Sequence, residues 1–169
     1  MITPEGKKAL DKRLATWSDD KLSEARQFMR GFEHLVDPKG SKDVTNSQLH
    51  GLRTLVRHAA TSQRIQEFIL KQGLKAERKR HSGMHEFWNA IEKHRQEIDQ
   101  DGRNLCSSVN SKWAHAEEIL FRTRKQMFLK YLQHIIAEKL IITSEKKEQD
   151  KQQKNKRQKK HYNAKWHKN

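Results

Sequence analysis

The chain has 169 residues, with 36 Lys and Arg against 21 Asp and Glu for a net charge of +15, and its 33% hydrophobic share leaves room for one narrow core rather than two domains. That charge selects polyanions as partners, nucleic acid ahead of anionic membrane. No apolar run approaches the roughly 20 residues of a spanning helix, and MITPEGKKALDKRL lacks the apolar segment of a secretory signal, so a cytoplasmic protein without a membrane partner is expected.

Helical spacing runs through almost the whole chain, strand-like alternation is absent, and the two prolines stay out of the periodic stretches. Thr3, Pro4 and Glu5 open a first helix, with Leu10, Leu14 and Trp17 on one side. Ser18, followed by Asp19 and Asp20 at a positive helix end, reads as the N-cap of a second. Its inward face is Leu22, Ala25, Phe28, Phe32, Leu35 and Val36, and Asp37–Ser41 is its stop. A third helix opens in TNSQLHGLRTLVRHA, Thr45–Ala59, where Thr45 and Gln48 form a capping box. Leu49, Leu52, Leu55, Val56 and Ala59 line its apolar side, and it stops near Thr61–Ser62.

Ile65, Phe68, Ile69 and Leu74 mark a fourth helix that runs into the basic KAERKR, with Gly73 a weak point and His81–Gly83 a break. A fifth starts near Met84, carries Phe87, Trp88, Ile91 and Ile98 inward, and is expected to close at the polar DQDGRN. The last helix is the longest, from about Ser108 to Thr143. In it Val109, Trp113, Ala116, Leu120, Met127, Tyr131, Ile135 and Leu140 follow a spacing of three and four. Phe121, Phe128, Leu132 and Ile136 widen that stripe beyond what one neighbour covers, so this helix is expected at the centre of the bundle. After Thr143, ten basic and three acidic residues follow with almost no aliphatic side chain. Such a segment has too little apolar surface to offset its ordering entropy. The fold expected is therefore all-α, a compact bundle of five to six helices over residues 1–143, with a basic tail over 144–169 that is disordered alone except where its first turns extend the last helix.

Chemistry-bearing patterns are sparse. The single Cys106 excludes an intramolecular disulfide and a multi-thiolate zinc site within one chain, and no catalytic carboxylate pair, Ser-His-Asp arrangement or glycine-rich phosphate loop stands out. His81 and His85 have a ligand spacing but no HExxH pattern. With His94 and His115 they read as surface histidines, whereas His134, beside the apolar stripe, reads as a hydrogen-bonded core histidine. No cofactor or metal is expected.

Arg53 and His58 are spaced R-x4-H, which resembles the motif of a small all-helical ribonuclease family, the higher eukaryotes and prokaryotes nucleotide-binding family. That resemblance implies a dimeric enzyme acting on an RNA 2′-hydroxyl. In so basic a chain the spacing arises readily by chance, and Arg78 with His85 supplies another at R-x6-H. The favoured reading is a non-catalytic phosphate track. His50, Arg53 and Arg57 share one side of the third helix, and Arg64, Lys71, Lys75 and Arg78 repeat the spacing on the fourth. Against it stands an ordinary solvated helix back, with Glu67 and Glu77 pairing some of these cations. A basic DNA-binding architectural or regulatory protein is a further alternative.

Two segments together resemble a known family. DVTNSQLHGLRTLVRHA, Asp43–Ala59, is similar to the helix opening of the small subunit of type III (III-A-like) CRISPR effector complexes, and QMFLKYLQHIIAEKL, Gln126–Leu140, to that family's C-terminal helix. RIQEFILKQGLKAERKR, Arg64–Arg80, sits where the family has its basic, aromatic-containing middle helix. The resemblance implies a non-catalytic helical bundle, stacked in several copies inside a ribonucleoprotein beside its other subunits, whose basic face holds the backbone of guide RNA or a guide–target duplex. His50 stands where the family usually has Arg or Lys. The chain departs from the pattern at Glu138–Lys139, in its longer N-terminal helices and in its basic tail.

Overall fold

The computed structural model describes residues 2–36 and 44–166, with side chains through residue 157. Thr3 accepts the Gly6 amide through its hydroxyl at 3.1 Å and Pro4 occupies the first turn, so α1 starts at Pro4 and runs unbroken to Gly31. The two N-terminal helices expected from sequence are thus one. Ser18 does not cap anything: it is buried in mid-helix, its hydroxyl 2.9 Å from His134 Nε2. The buried face passes straight through it, from Leu10 and Leu14 to Ala25 and Met29, and packing along that continuous face overrides a local cap signal. A 3-10 turn, Glu33–Leu35, follows; the stop expected at 37–41 lies outside the described residues.

The capping box forms as the sequence predicts. Thr45 Oγ1 accepts the Gln48 amide at 3.1 Å, the Thr45 amide donates to Gln48 Oε1 at 2.9 Å, and α2 spans Asn46–His58. Thr61 then caps α3, Ser62–Arg78. Gly73 is no break in it, being buried against Trp88 and Asn89. Ile65, Ile69, Gly73 and Ala76 form the buried row, which turns Leu74 outward to 51% exposure. Arg80 takes φ 56° while the His81 amide reaches Ala76 O at 2.9 Å and the Arg80 amide reaches Glu77 O at 2.8 Å, a Schellman stop made by arginine in the left-handed region.

The next helix, α4, spans Ser82–Val109, so the DQDGRN segment is helical rather than a closing turn. Its glycine serves close packing instead: a methyl group at Gly102 would stand 2.7 Å from Arg124 Cγ on the crossing helix. After α4 comes a 3-10 turn, Ser111–His115, which buries Trp113 over Gly6. The last helix, α5, spans Glu117–Trp166, starting later than the sequence predicts because residues 111–115 form that turn. Leu120, Met127, Phe128, Tyr131, Leu132, Ile135, Ile136 and Ile142 are buried along it, while Leu140 is half-exposed. The central position expected of this helix is met, since α1, α2 and α4 all pack on it and α3 packs mainly on α4. The helical backbone continues past Thr143, the boundary expected for the tail, and residues 147–157 bury nothing. The result is an all-α bundle of five helices among the described residues, none of them long and apolar enough to cross a membrane.

Polar contacts pin the register of α5 on α1. Glu138 is buried and receives Arg30 Nε at 2.7 Å, and the same guanidinium forks onto Glu145 at 2.7 and 3.0 Å. That fork holds the Glu145 carboxyl below its ordinary range. Its contribution is therefore complete above the unfolded carboxyl pKa and is lost as pH falls through the lower folded value. Arg30→Met is predicted to lower Tm and flatten the acid limb of a Tm-against-pH profile. The double variant with Glu138→Met should recover most of the loss at neutral pH, because the buried carboxylate is then gone with its partner. Trp88→Ala, emptying the α3–α4 seam, should cost about 3–5 kcal/mol in urea denaturation.

Candidate nucleic-acid interface

The side of α3 turned away from α4 is exposed, and several of its positions are cations. Arg64, Lys71, Lys75 and Arg78 are all exposed and run down one side of α3, spaced seven, four and three residues apart. On α2, His50 and Arg57 are exposed, but Arg53 is half-buried. It lies four residues after Leu49 and three before Val56, both fully buried, so it shares their flank. Its Nε is enclosed without a hydrogen-bond partner. The seven candidate residues thus divide into an exposed row on α3 with Glu67 between its first two cations, an exposed pair on α2, and Arg53 set back at the edge of the core.

A cleft of about 420 Å³ lies where the end of α2 meets the start of α3. Leu55, His58, Ala59, Arg64, Glu67, Phe68 and Lys71 line it, and the Phe68 ring is held from behind by Trp88, edge to face at 6.4 Å. Two cations, an imidazole and a half-buried aromatic ring around one opening can meet a phosphate and an unstacked base together. Glu67, the one acid there, accepts Gln63 Nε2 at 2.9 Å. The sequence reading used His58 only as half of R-x4-H and Phe68 only as core. The i, i+4 and i, i+3 spacing of Arg64, Phe68 and Lys71 places those three on one side of α3, but nothing in the sequence brings His58 of α2 to them.

Five residues apart on a helix, Arg53 and His58 diverge by about 140°. One belongs to the core flank and the other to the cleft, so within one chain they do not converge on a single reacting atom. Several other cations act structurally. Lys125 Nζ donates to Ala59 O at 3.2 Å, Lys139 Nζ to Asn46 Oδ1 at 3.1 Å, and Lys146 Nζ to Glu33 O and Val36 O. Past them, Lys147, Lys151, Lys154, Lys156 and Arg157 are exposed around α5, with Glu148 and Asp150 among them.

The histidines separate by environment. His134 is the core histidine expected, bonded to the Ser18 hydroxyl and backbone oxygen. His81 precedes α4 as its N-cap, and His85 Nδ1 lies 3.1 Å from Gly73 O. His94 departs from the surface reading: its side chain is only 19% exposed, and it sits with Glu24 and Glu97, the one grouping among the described residues with the donors to hold a metal ion.

No family model, curated protein or solved structure matches this chain.

Arg53→Met keeps most of the volume while removing a donor that has no acceptor. It is predicted to leave stability unchanged or raise it, whereas Arg64→Ala on the exposed row should shift it by less than about 0.5 kcal/mol in the same urea titration.

Proposed function

We propose that this chain is a non-catalytic nucleic-acid-binding protein that holds an RNA backbone along α3 and in the α2–α3 cleft. The observation that carries the reading is the exposed row Arg64, Lys71, Lys75 and Arg78, broken by one acid, Glu67, and beginning at a cleft that also presents His58 and Phe68. Its chemistry is that of phosphate neutralisation beside a stacking surface, and the net charge of +15 adds long-range attraction for any polyanion. His50 and Arg57 extend the contact onto α2.

Within that class, the resemblance of Asp43–Ala59 and Gln126–Leu140 to type III CRISPR small subunits makes guide RNA, or a guide–target duplex, the proposed ligand. Other subunits of a cytoplasmic ribonucleoprotein and further copies of this chain are then the proposed partners. The residues resembling that family's last helix form the centre of this bundle, so self-stacking would use other surfaces. Leu70 and Leu74, half-exposed beside the basic row, are apolar groups open to such a contact.

Fluorescence anisotropy with a labelled single-stranded RNA, repeated across a salt series, tests the reading. Arg64→Gln with Lys71→Gln should weaken binding and make the slope of log K against log salt shallower by about 1.4, two phosphate contacts at roughly 0.7 each. Equal affinity and slope for variant and wild type would sink the proposal. RNA cleavage that disappears in His58→Ala would replace it with the ribonuclease alternative.

A further inference from the structure

At the seam of α1 and α4 three ligand-type side chains converge, none of them part of the basic row. His94 Nδ1 lies 3.2 Å from Glu24 Oε1 and 3.1 Å from Glu97 Oε2, and the three atoms all lie within 4.8 Å of one another. Donors bonded to one ion at about 2.0–2.1 Å stand roughly 2.8–3.4 Å apart, from octahedral to tetrahedral angles. The two separations from His94 already have that value. His94 and Glu97 are three residues apart on α4 and so share a face, while Glu24 approaches from α1.

A hydrogen-bonded cluster accounts for only part of this arrangement. Nδ1 carries at most one proton, yet two carboxylate oxygens face it at nearly equal distance. Behind them stands Tyr131 of α5, fully buried, its ring 5.2 Å from that of His94, its hydroxyl enclosed and without a hydrogen-bond partner. An enclosed donor with nothing to bond is rare enough to need an explanation, and a bound ion with its own water supplies one. The imidazole is already oriented, with Phe28 edge-on at 5.0 Å and 90°. Lys21 holds the far oxygen of Glu24, Oε2, at 2.7 Å and leaves Oε1 toward His94. Glu24 and Glu97 are 37% and 46% exposed, which gives an ion a path from solvent.

We propose that Glu24, His94 and Glu97 bind a divalent transition-metal ion, with the Tyr131 hydroxyl donating to a ligand of that ion, so that the metal ties α1 to α4. One imidazole with two carboxylates favours Zn²⁺ and its first-row neighbours over Mg²⁺ or Ca²⁺, which prefer all-oxygen sites.

The test is calorimetric titration of the full, chelator-treated chain with ZnCl₂ and, separately, MgCl₂. Zinc should fill one saturable equivalent and raise Tm, with Mg²⁺ at least about 100-fold weaker. Glu24→Gln and Glu97→Gln should each weaken that equivalent at least about 10-fold and Tyr131→Phe by roughly 10-fold, whereas His58→Gln and His81→Gln leave it unchanged. Far-UV circular dichroism checks that each variant is folded. Cobalt(II) added to the wild-type chain gives a readout needing no variant, visible bands of nitrogen and oxygen coordination. Absence of a saturable zinc equivalent, unchanged zinc affinity in the Glu24→Gln, Glu97→Gln double variant, Mg²⁺ binding as tight as zinc, or unperturbed cobalt bands would each overturn the proposal.

Discussion

The apolar stripe of α5 must be covered on more than one side, and most of this architecture follows from that requirement. Met127, Phe128, Tyr131, Leu132, Ile135 and Ile136 occupy too much of the helix circumference for a single neighbour. Three helices are recruited: α1, α2 and α4 pack on α5. With those places taken, α3 docks mainly on α4, behind Trp88, and keeps one flank in water. The basic row is displayed on that flank because α3 is peripheral. A cationic helix at the centre would have had to neutralise or desolvate each charge at several kcal/mol, of the order expected for buried ions.

Apolar burial alone would let long helices slide by a turn, since rows three and four residues apart look much alike. Directional polar contacts remove that freedom. Arg30 joins Glu138 to Glu145, His134 meets Ser18, and Trp17 Nε1 donates to Asp101 Oδ2 at 3.0 Å across α1 and α4. On α4, Arg95 forks onto Glu92 at 2.7 and 2.8 Å and also reaches Asp99 and Ser62, the last residue tying the start of α3 to the bundle. Gly102 and Gly6 set how closely Arg124 and Trp113 can approach. These contacts add less to net stability than burial does, but each has only one register that satisfies it.

Two chemistries thus occupy different parts of one scaffold. The α2–α3 edge collects cations around a half-buried ring and suits an extended anionic ligand. The α1–α4 seam collects carboxylates around an imidazole and suits a compact cation. Both rest on α4, which carries Trp88 beneath the first and His94 and Glu97 within the second. A change of tilt in α4 would therefore be felt at both.

Sequence by itself determined the helical class, the Thr45 capping box, the long apolar helix and the periodic row on α3, because each depends on residues within a turn or two of one another. It misassigned what depends on distant neighbours. Ser18 had the form of a cap and DQDGRN that of a turn, but Ser18 found His134 and Gly102 found Arg124, and packing carried both helices through. Arg53 matched its neighbours in spacing, yet the position of the core across α2 decided that it sits half-buried while His50 and Arg57 do not. Local spacing could not bring His58 to Phe68, or Glu24 to His94, since the members of each pair lie on different helices. Only the tertiary arrangement, set by the covering of α5, decided which helices became neighbours.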